Sequence, residues 1–297
     1  MRQLCILAAV ALVCAACTSE PDNDVESVAN EQQHVTLSFA PSVTTEPMGA
    51  KALTRTAVPV GSVVNRLDIW LFEGDSAKAL TQAAPVAESQ QAKGSDGFGS
   101  LSLMLDKNKT YTLYAVGHKE SAPATITGGV VTFPDTKRLQ TLYVSTTFTP
   151  ATTTTLPCMM HRAVGMFRVV FTDDIPTEVK KIAVTAKDVP SQWSFPKVAG
   201  VTPTDSYNVT WTSWKRETDG TTMFCIYILG SNEEQHYDIT VSAYDADDNL
   251  LKEHAFPSVP IRNNWRSTYR GRFFLDTSFS STFLLDEDWQ DYDEIEY

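Results

Sequence analysis

From residue 34 onward, apolar positions recur with a period of two. His34 to Ala40 sets Val35, Leu37 and Phe39 on one face, as in a strand with one buried side. Leu67, Ile69 and Leu71 alternate with Asp68, Trp70 and Phe72, so this strand is expected to be covered on both faces. The same alternation marks Ser100–Leu105, Tyr111–Val116, Met166–Phe171, Ile182–Ala186, Thr222–Leu229, Tyr237–Tyr244 and Tyr269–Leu275. These runs are rich in Thr, Val, Tyr and Phe, and Gly, Pro, Asp and Asn clusters separate them. No segment sustains a 3.6-residue period over three turns. The pattern predicts an all-β chain of sandwiches and excludes a doubly wound α/β sheet.

Two segments read as joints. Ala77–Gly99 is rich in Ala, Gln, Ser and Gly and is expected to be a surface loop. Thr149–Pro157 is polar, β-branched and bounded by proline, so it should be extended, with a domain boundary near residue 157. The 297 residues are about twice a typical domain of ~150. The expected organisation is one sandwich over 34–157, a second over 158–278 and a tail over 279–297. In that tail Phe279, Ser281, Phe283 and Leu285 share a face ahead of an acidic end.

Charge narrows the function. Lys and Arg number 24 against 36 Asp and Glu, a net charge of −12, which argues against a nucleic-acid partner because little would displace phosphate counterions. Residues 1–17 form a secretory signal, with Arg2, an apolar stretch from Leu4 to Val13, then Ala15 and Ala16 before Cys17. Cysteine directly after Ala-Ala resembles a bacterial lipobox, which would make Cys17 the lipidated first residue, although Cys14 stands where Leu is usual. Ordinary cleavage near Ala16 without a lipid is the rival reading. Residues 18–33 are polar and acidic and should form a flexible tether. Glu20, Asp22 and Asp24 lie close behind Cys17 and resemble the surface-export signal of Bacteroidetes lipoproteins. Three of the five cysteines belong to the signal, which leaves Cys158 and Cys225 as either a disulfide or two buried thiols.

Catalytic and metal chemistry find no support. HExxH, a P-loop, GxGxxG and GxSxG are all absent, and the five histidines (34, 118, 161, 236 and 254) share no metal-ligand spacing. Asp245–Asn249 has the carboxylates of a Ca²⁺ loop without the Gly and distal Glu of an EF-hand, and reads as a hairpin turn. The tryptophans at 70, 193, 211 and 214 sit in strand context, where packing on a sheet is the usual role. The expectation is therefore a non-enzymatic protein with no cofactor and no metal.

Three features remain. Val35-Leu37-Phe39 begins the first sandwich, Arg55 lies in the following loop in a Leu-Thr-Arg-Thr setting, and Phe279–Leu285 supplies a spare alternating strand. Cleavage after Arg55 would free the first strand and open an apolar groove with unpaired backbone, which recruits a strand. Together with VNRLDIWLFEG (64–74), TYTLYAVGH (110–118), MHRAVGMFRVVFTD (160–173), VPIRNNWRSTYRGRFF (259–274) and FLLDEDWQDYDEIEY (283–297), these features resemble the Bacteroidetes fimbrillins, subunits of type V pili.

The resemblance implies two transthyretin-like β-sandwich domains in tandem and export as an outer-membrane lipoprotein through Cys17. An Arg-specific protease would cut between Arg55 and Thr56 and remove the strand of Val35, Leu37 and Phe39. Polymerisation into a fimbrium would follow by donation of Phe279, Ser281, Phe283 and Leu285. The implied partners are other fimbrial subunits, the outer membrane, and a host or bacterial surface receptor. Alternatives are a membrane-retained fimbrial anchor or a monomeric lipoprotein that binds glycans through exposed Trp. Asp75-Ser76-Ala77 also matches the O-glycosylation motif of exported Bacteroidetes proteins.

Overall fold

Most of the period-two segments become strands in a computed structural model that describes residues 31–42, 59–134, 140–150, 155–275 and 281–286, but of the expected strand Tyr269–Leu275 only the part up to Gly271 is strand. The first nine strands are β1 (Gln32–Pro41), β2 (Arg66–Glu73), β3 (Ala87–Ala92), β4 (Ser100–Asp106), β5 (Tyr111–His118), β6 (Thr125–Thr127), β7 (Val130–Thr132), β8 (Leu142–Phe148) and β9 (Thr155–Arg162). Seven of them form a sheet of order β3-β2-β5-β8-β9-β1-β4. The sheet turns back on itself at β8–β9, because Val35, Leu37 and Phe39 of β1 meet Leu67, Ile69 and Leu71 of β2 and Leu113 of β5 in one buried cluster.

The second half contains β10 (Val164–Phe171), β11 (Lys181–Ala186), β12 (Val189–Ser194), β13 (Ala199–Thr204), β14 (Tyr207–Trp211), β15 (Thr222–Leu229), β16 (Gln235–Tyr244), β17 (Leu250–Ile261), β18 (Arg266–Gly271) and β19 (Ser281–Asp286). Sheet β15-β10-β18-β19 faces sheet β14-β11-β16-β17 across a core of Phe167, Phe171, Val184, Phe224, Ile226, Val241 and Phe273. The chain is all-β, with a single α-turn, α1 (Ser76–Ala79), among the described residues.

A third buried cluster lies between the halves. Trp70, Phe72 and Tyr114 from the far face of β2 and β5 meet Val164 and Met166 of β10, Tyr227 of β15 and the fully buried Trp193. A small sheet, β13-β12-β7-β6, covers it and takes two strands from each half of the chain. This explains why β2 and β5 are apolar on both faces: each side chain set faces a different core. At the polar end of this cluster, Asp68 accepts the Ala124 N–H at 2.7 Å and lies 2.8 Å from His118 Nε2, with both side chains fully buried.

The chain passes from one sandwich to the other at Ala163, between β9 and β10, while residue 157 lies inside β9. Backbone bonds lock this crossing: Ala163 N to Thr141 O (2.8 Å), Gly230 N to Ala163 O (3.0 Å) and Asn264 N to Val164 O (2.9 Å). Arg162 Nη1 adds a bond to Asn264 Oδ1 at 2.9 Å. Gly165 permits the approach, since a Cβ there would stand 2.6 Å from the Arg262 carbonyl oxygen.

The structure also corrects the expected surface loop. Ala77–Gly99 contains α1 and the edge strand β3, in which Ala87–Ala92 pairs with β2 from Leu71 to Arg66. Its sequence, AESQQA, has no apolar face because only one neighbour and little core lie beneath it. Replacing Gly165 by Ala should force the crossing apart at backbone atoms that cannot yield. The expected loss is about 1–3 kcal/mol, measured as a fall in the urea midpoint with unchanged slope.

Candidate assembly site

β1 is held on both edges. It pairs antiparallel with β4 from Gln32↔Asp106 to Ser38↔Ser100, and parallel with β9 from Thr36↔Thr155 to Pro41↔Met160. Phe39 N donates to Gly99 O at 2.9 Å, Thr36 and Ser102 hydroxyls are 3.0 Å apart, and Lys107 pairs with Glu31. Val35, Leu37 and Phe39 are 1%, 0% and 4% exposed. Burial of each is worth about 1.5–3 kcal/mol, so the three together contribute on the order of 5–9 kcal/mol. That is comparable to the net stability of a whole domain, about 5–15 kcal/mol. A first sandwich that loses β1 must therefore refill the groove or lose its core.

Cys158 lies beside this strand, on β9 in register with Phe39. Burial pushes its thiol up to about 12, against a smaller opposing effect of the Ser38 backbone. Cys225 belongs to the middle cluster, and both cysteines are free buried thiols. The Cys158–Cys225 disulfide is accordingly not formed, since the two side chains serve separate cores.

β19 is held differently. Among the described residues it pairs on one side only, antiparallel to β18 of its own chain from Arg266↔Asp286 to Gly271↔Ser281. Phe283 and Leu285 fall opposite Tyr269 and Ser267, so the expected apolar face turns towards the core. Phe283 on that face is still 43% exposed, and Leu284 on the opposite face is 56% exposed. The Phe283 ring lies 5.0 Å from Tyr269, and Arg266 reaches Asp286 at 2.8 Å. A partly exposed ion pair of this kind is worth roughly 0–1 kcal/mol. Upstream of this strand the chain is pinned, because the buried Asp173 accepts the N–H groups of Phe273 (2.9 Å), Phe274 (2.7 Å) and Leu275 (2.9 Å).

Other expected positions are accounted for as follows. Cys17, Arg55, Thr56 and Phe279 lie outside the described residues. Asp245 closes the β16–β17 turn by accepting the N–H groups of Asp247 and Asn249 at 2.9 Å each. The Asn249 side chain, more than these backbone bonds, holds its carboxyl below the usual range. Trp70, Trp193, Trp211 and Trp265 are buried and Trp214 is half-buried, which leaves no exposed Trp among the described residues to stack on a sugar. Asp75 caps α1 through the Lys78 N–H at 2.9 Å, and Ser76 is exposed beside it. Among the described residues no cluster of three or more His, Cys, Asp and Glu could hold a metal ion. No described helix is long and apolar enough to cross a membrane.

Residues 140–295 match a family of unknown function, DUF6562, and make up just over half of the chain. The chain belongs to that family. The match begins just before β8 and runs through the second sandwich beyond β19. No curated protein matches this DUF6562 chain in sequence. Among solved structures, a candidate adhesin from Bacteroides thetaiotaomicron superposes with a TM-score of 0.50 at 11% identity, covering 86% of this chain and 97% of that one. Another from that organism, described as a candidate polysaccharide-binding protein, gives 0.50 at 8% identity over 86% and 96%. The fimbrial anchor protein Mfa2 from Porphyromonas gingivalis gives 0.46 at 11% identity over 86% and 98%. At these identities the likeness to the two B. thetaiotaomicron proteins is one of fold alone.

The position of Cys158 provides a reporter for β1. In the intact protein it should resist Ellman's reagent. Trypsin cleavage before β2, followed by gel filtration in mild urea to strip the cut strand, should leave Cys158 reactive and Cys225 protected. Cys158→Ser should abolish the signal.

Proposed function

We propose that the protein is a structural subunit of a cell-surface fimbria that polymerises by strand exchange and supports adhesion. The observation that carries this reading is the unequal hold on two strands. β1 is paired on both edges and buried, whereas β19 is paired on one edge and largely exposed. Removal of β1 leaves an apolar groove flanked by two unpaired edges, and an alternating strand is the element that fits it. β19 can leave its own edge at a far smaller loss of buried area.

Within this reading Cys17 carries the lipid that brings the chain to the outer membrane, and a cut between Arg55 and Thr56 releases β1. Phe279, Ser281, Phe283 and Leu285 then face the core of the next subunit. The partners are other fimbrial subunits and a surface receptor, with no cofactor. The fold shared with the B. thetaiotaomicron candidate adhesin is compatible with this role. A subunit that kept β1 and the lipid would instead serve as the anchor.

The test is assembly after limited digestion with an Arg-specific protease, which spares Lys51 just ahead of Arg55, read by gel filtration and electron microscopy. Wild-type chain should form concentration-dependent polymers once β1 is cut away. Arg55→Ala should remain uncut and monomeric. A chain truncated after Ser280 should be cut and still fail to extend. Polymers of equal length from either variant would defeat the mechanism.

A further inference from the structure

β8 and β9 are consecutive antiparallel strands, yet among the described residues they pair only at Leu142↔Arg162 and Tyr143↔His161. Beyond that point they part. Val144–Phe148 stays with β5, and Thr155–Met160 stays with β1. Each strand thus has one paired edge and one unpaired edge, and the two unpaired edges face one another. A cleft of about 570 Å³ occupies the gap, lined by Tyr143, Ser145, Thr146, Pro157, Met159 and His161. The turn at Phe195–Val198 and Asn232 complete it at the end nearest the second sandwich.

We infer that this gap is a docking site for an uncharged extended segment of a partner polypeptide, added to the free edge of β8. Backbone N–H and C=O groups that point away from β5 are complementary to another strand and to little else. The free stretch is five residues, about 17 Å of strand, which suits a short β-addition. Antiparallel pairing on β8 is the stronger arrangement; it would lay the incoming strand parallel to β9, the direction β1 already takes on that strand's other side.

The lining states the chemistry of the occupant. Among the described residues no Asp, Glu, Lys or Arg lines the cleft, in a chain of net charge −12. A charged segment entering here would lose hydration without gaining a partner. β8 alternates Val144, Thr146 and Phe148 on the inner face with exposed Ser145 and Thr147 on the outer. The complementary segment therefore alternates apolar and hydroxyl side chains, and the exposed Met159 and Pro157 of β9 roof it. The outer edge of β3 differs: Glu88, Gln90 and Ala92 are exposed, and among the described residues no second strand pairs with that edge. The site is independent of β1 leaving its groove, so it can be occupied in the uncut chain.

The test is hydrogen–deuterium exchange on the uncut chain with an acetylated, amidated heptapeptide alternating threonine and valine. Amides of residues 144–148 should slow by about tenfold at saturating peptide, while those of β3 remain unchanged. Ser145→Arg and Met159→Arg, both at exposed positions, should remove that protection without shifting the thermal midpoint. The inference is overturned by unchanged exchange in 144–148, by equal protection of β3, or by protection that survives both Arg variants. Protection by maltoheptaose in place of the peptide would also overturn it, and would make the cleft a saccharide site.

Discussion

The sharing of β1 between β4 and β9 is the contact on which the first sandwich depends. Those flanking strands do not pair with each other, so the hydrogen bonds of both inner edges come from one ten-residue segment. Its three core residues contribute an amount comparable to the stability of the domain. A strand so placed cannot fray as a terminus usually does; it is present, or it must be replaced.

The middle cluster sets the second constraint. Because β2 and β5 are buried on both faces and β10 and β15 contribute to two cores, the halves are not beads on a linker. Glu31–Tyr297 forms one compact unit, and the small sheet that carries Trp193 draws strands from either half. Any event that opens the first core is felt by strands that also line the middle one, and the middle one in turn shares β10 and β15 with the second core.

The sequence was informative where side chains alternate and silent where topology decides. The double-sided burial of β2 could be read directly from Trp70 and Phe72 interleaved with Leu67, Ile69 and Leu71. β3 could not, because an edge strand with one neighbour needs no apolar face. β6 and β7 are three residues each, too short to display a period. The strand character of Ser281–Asp286 was visible, but its pairing with β18 of the same chain was not, since alternation fixes which face is apolar and not which edge it joins. The splayed β8–β9 gap had no signal at all: Ser145, Thr147, Pro157 and Met159 look like ordinary strand residues until their missing partners are seen.

Asp173 has a mechanical meaning. Its carboxylate grips three successive N–H groups at Phe273–Leu275, and it lies two residues beyond β10, the strand flanked by β15 and β18. Tension applied to the chain beyond Leu275 is therefore not spent peeling β18 from its sheet one bond at a time. It passes through the carboxylate to β10, where it acts along the strand and is resisted by two ladders in shear.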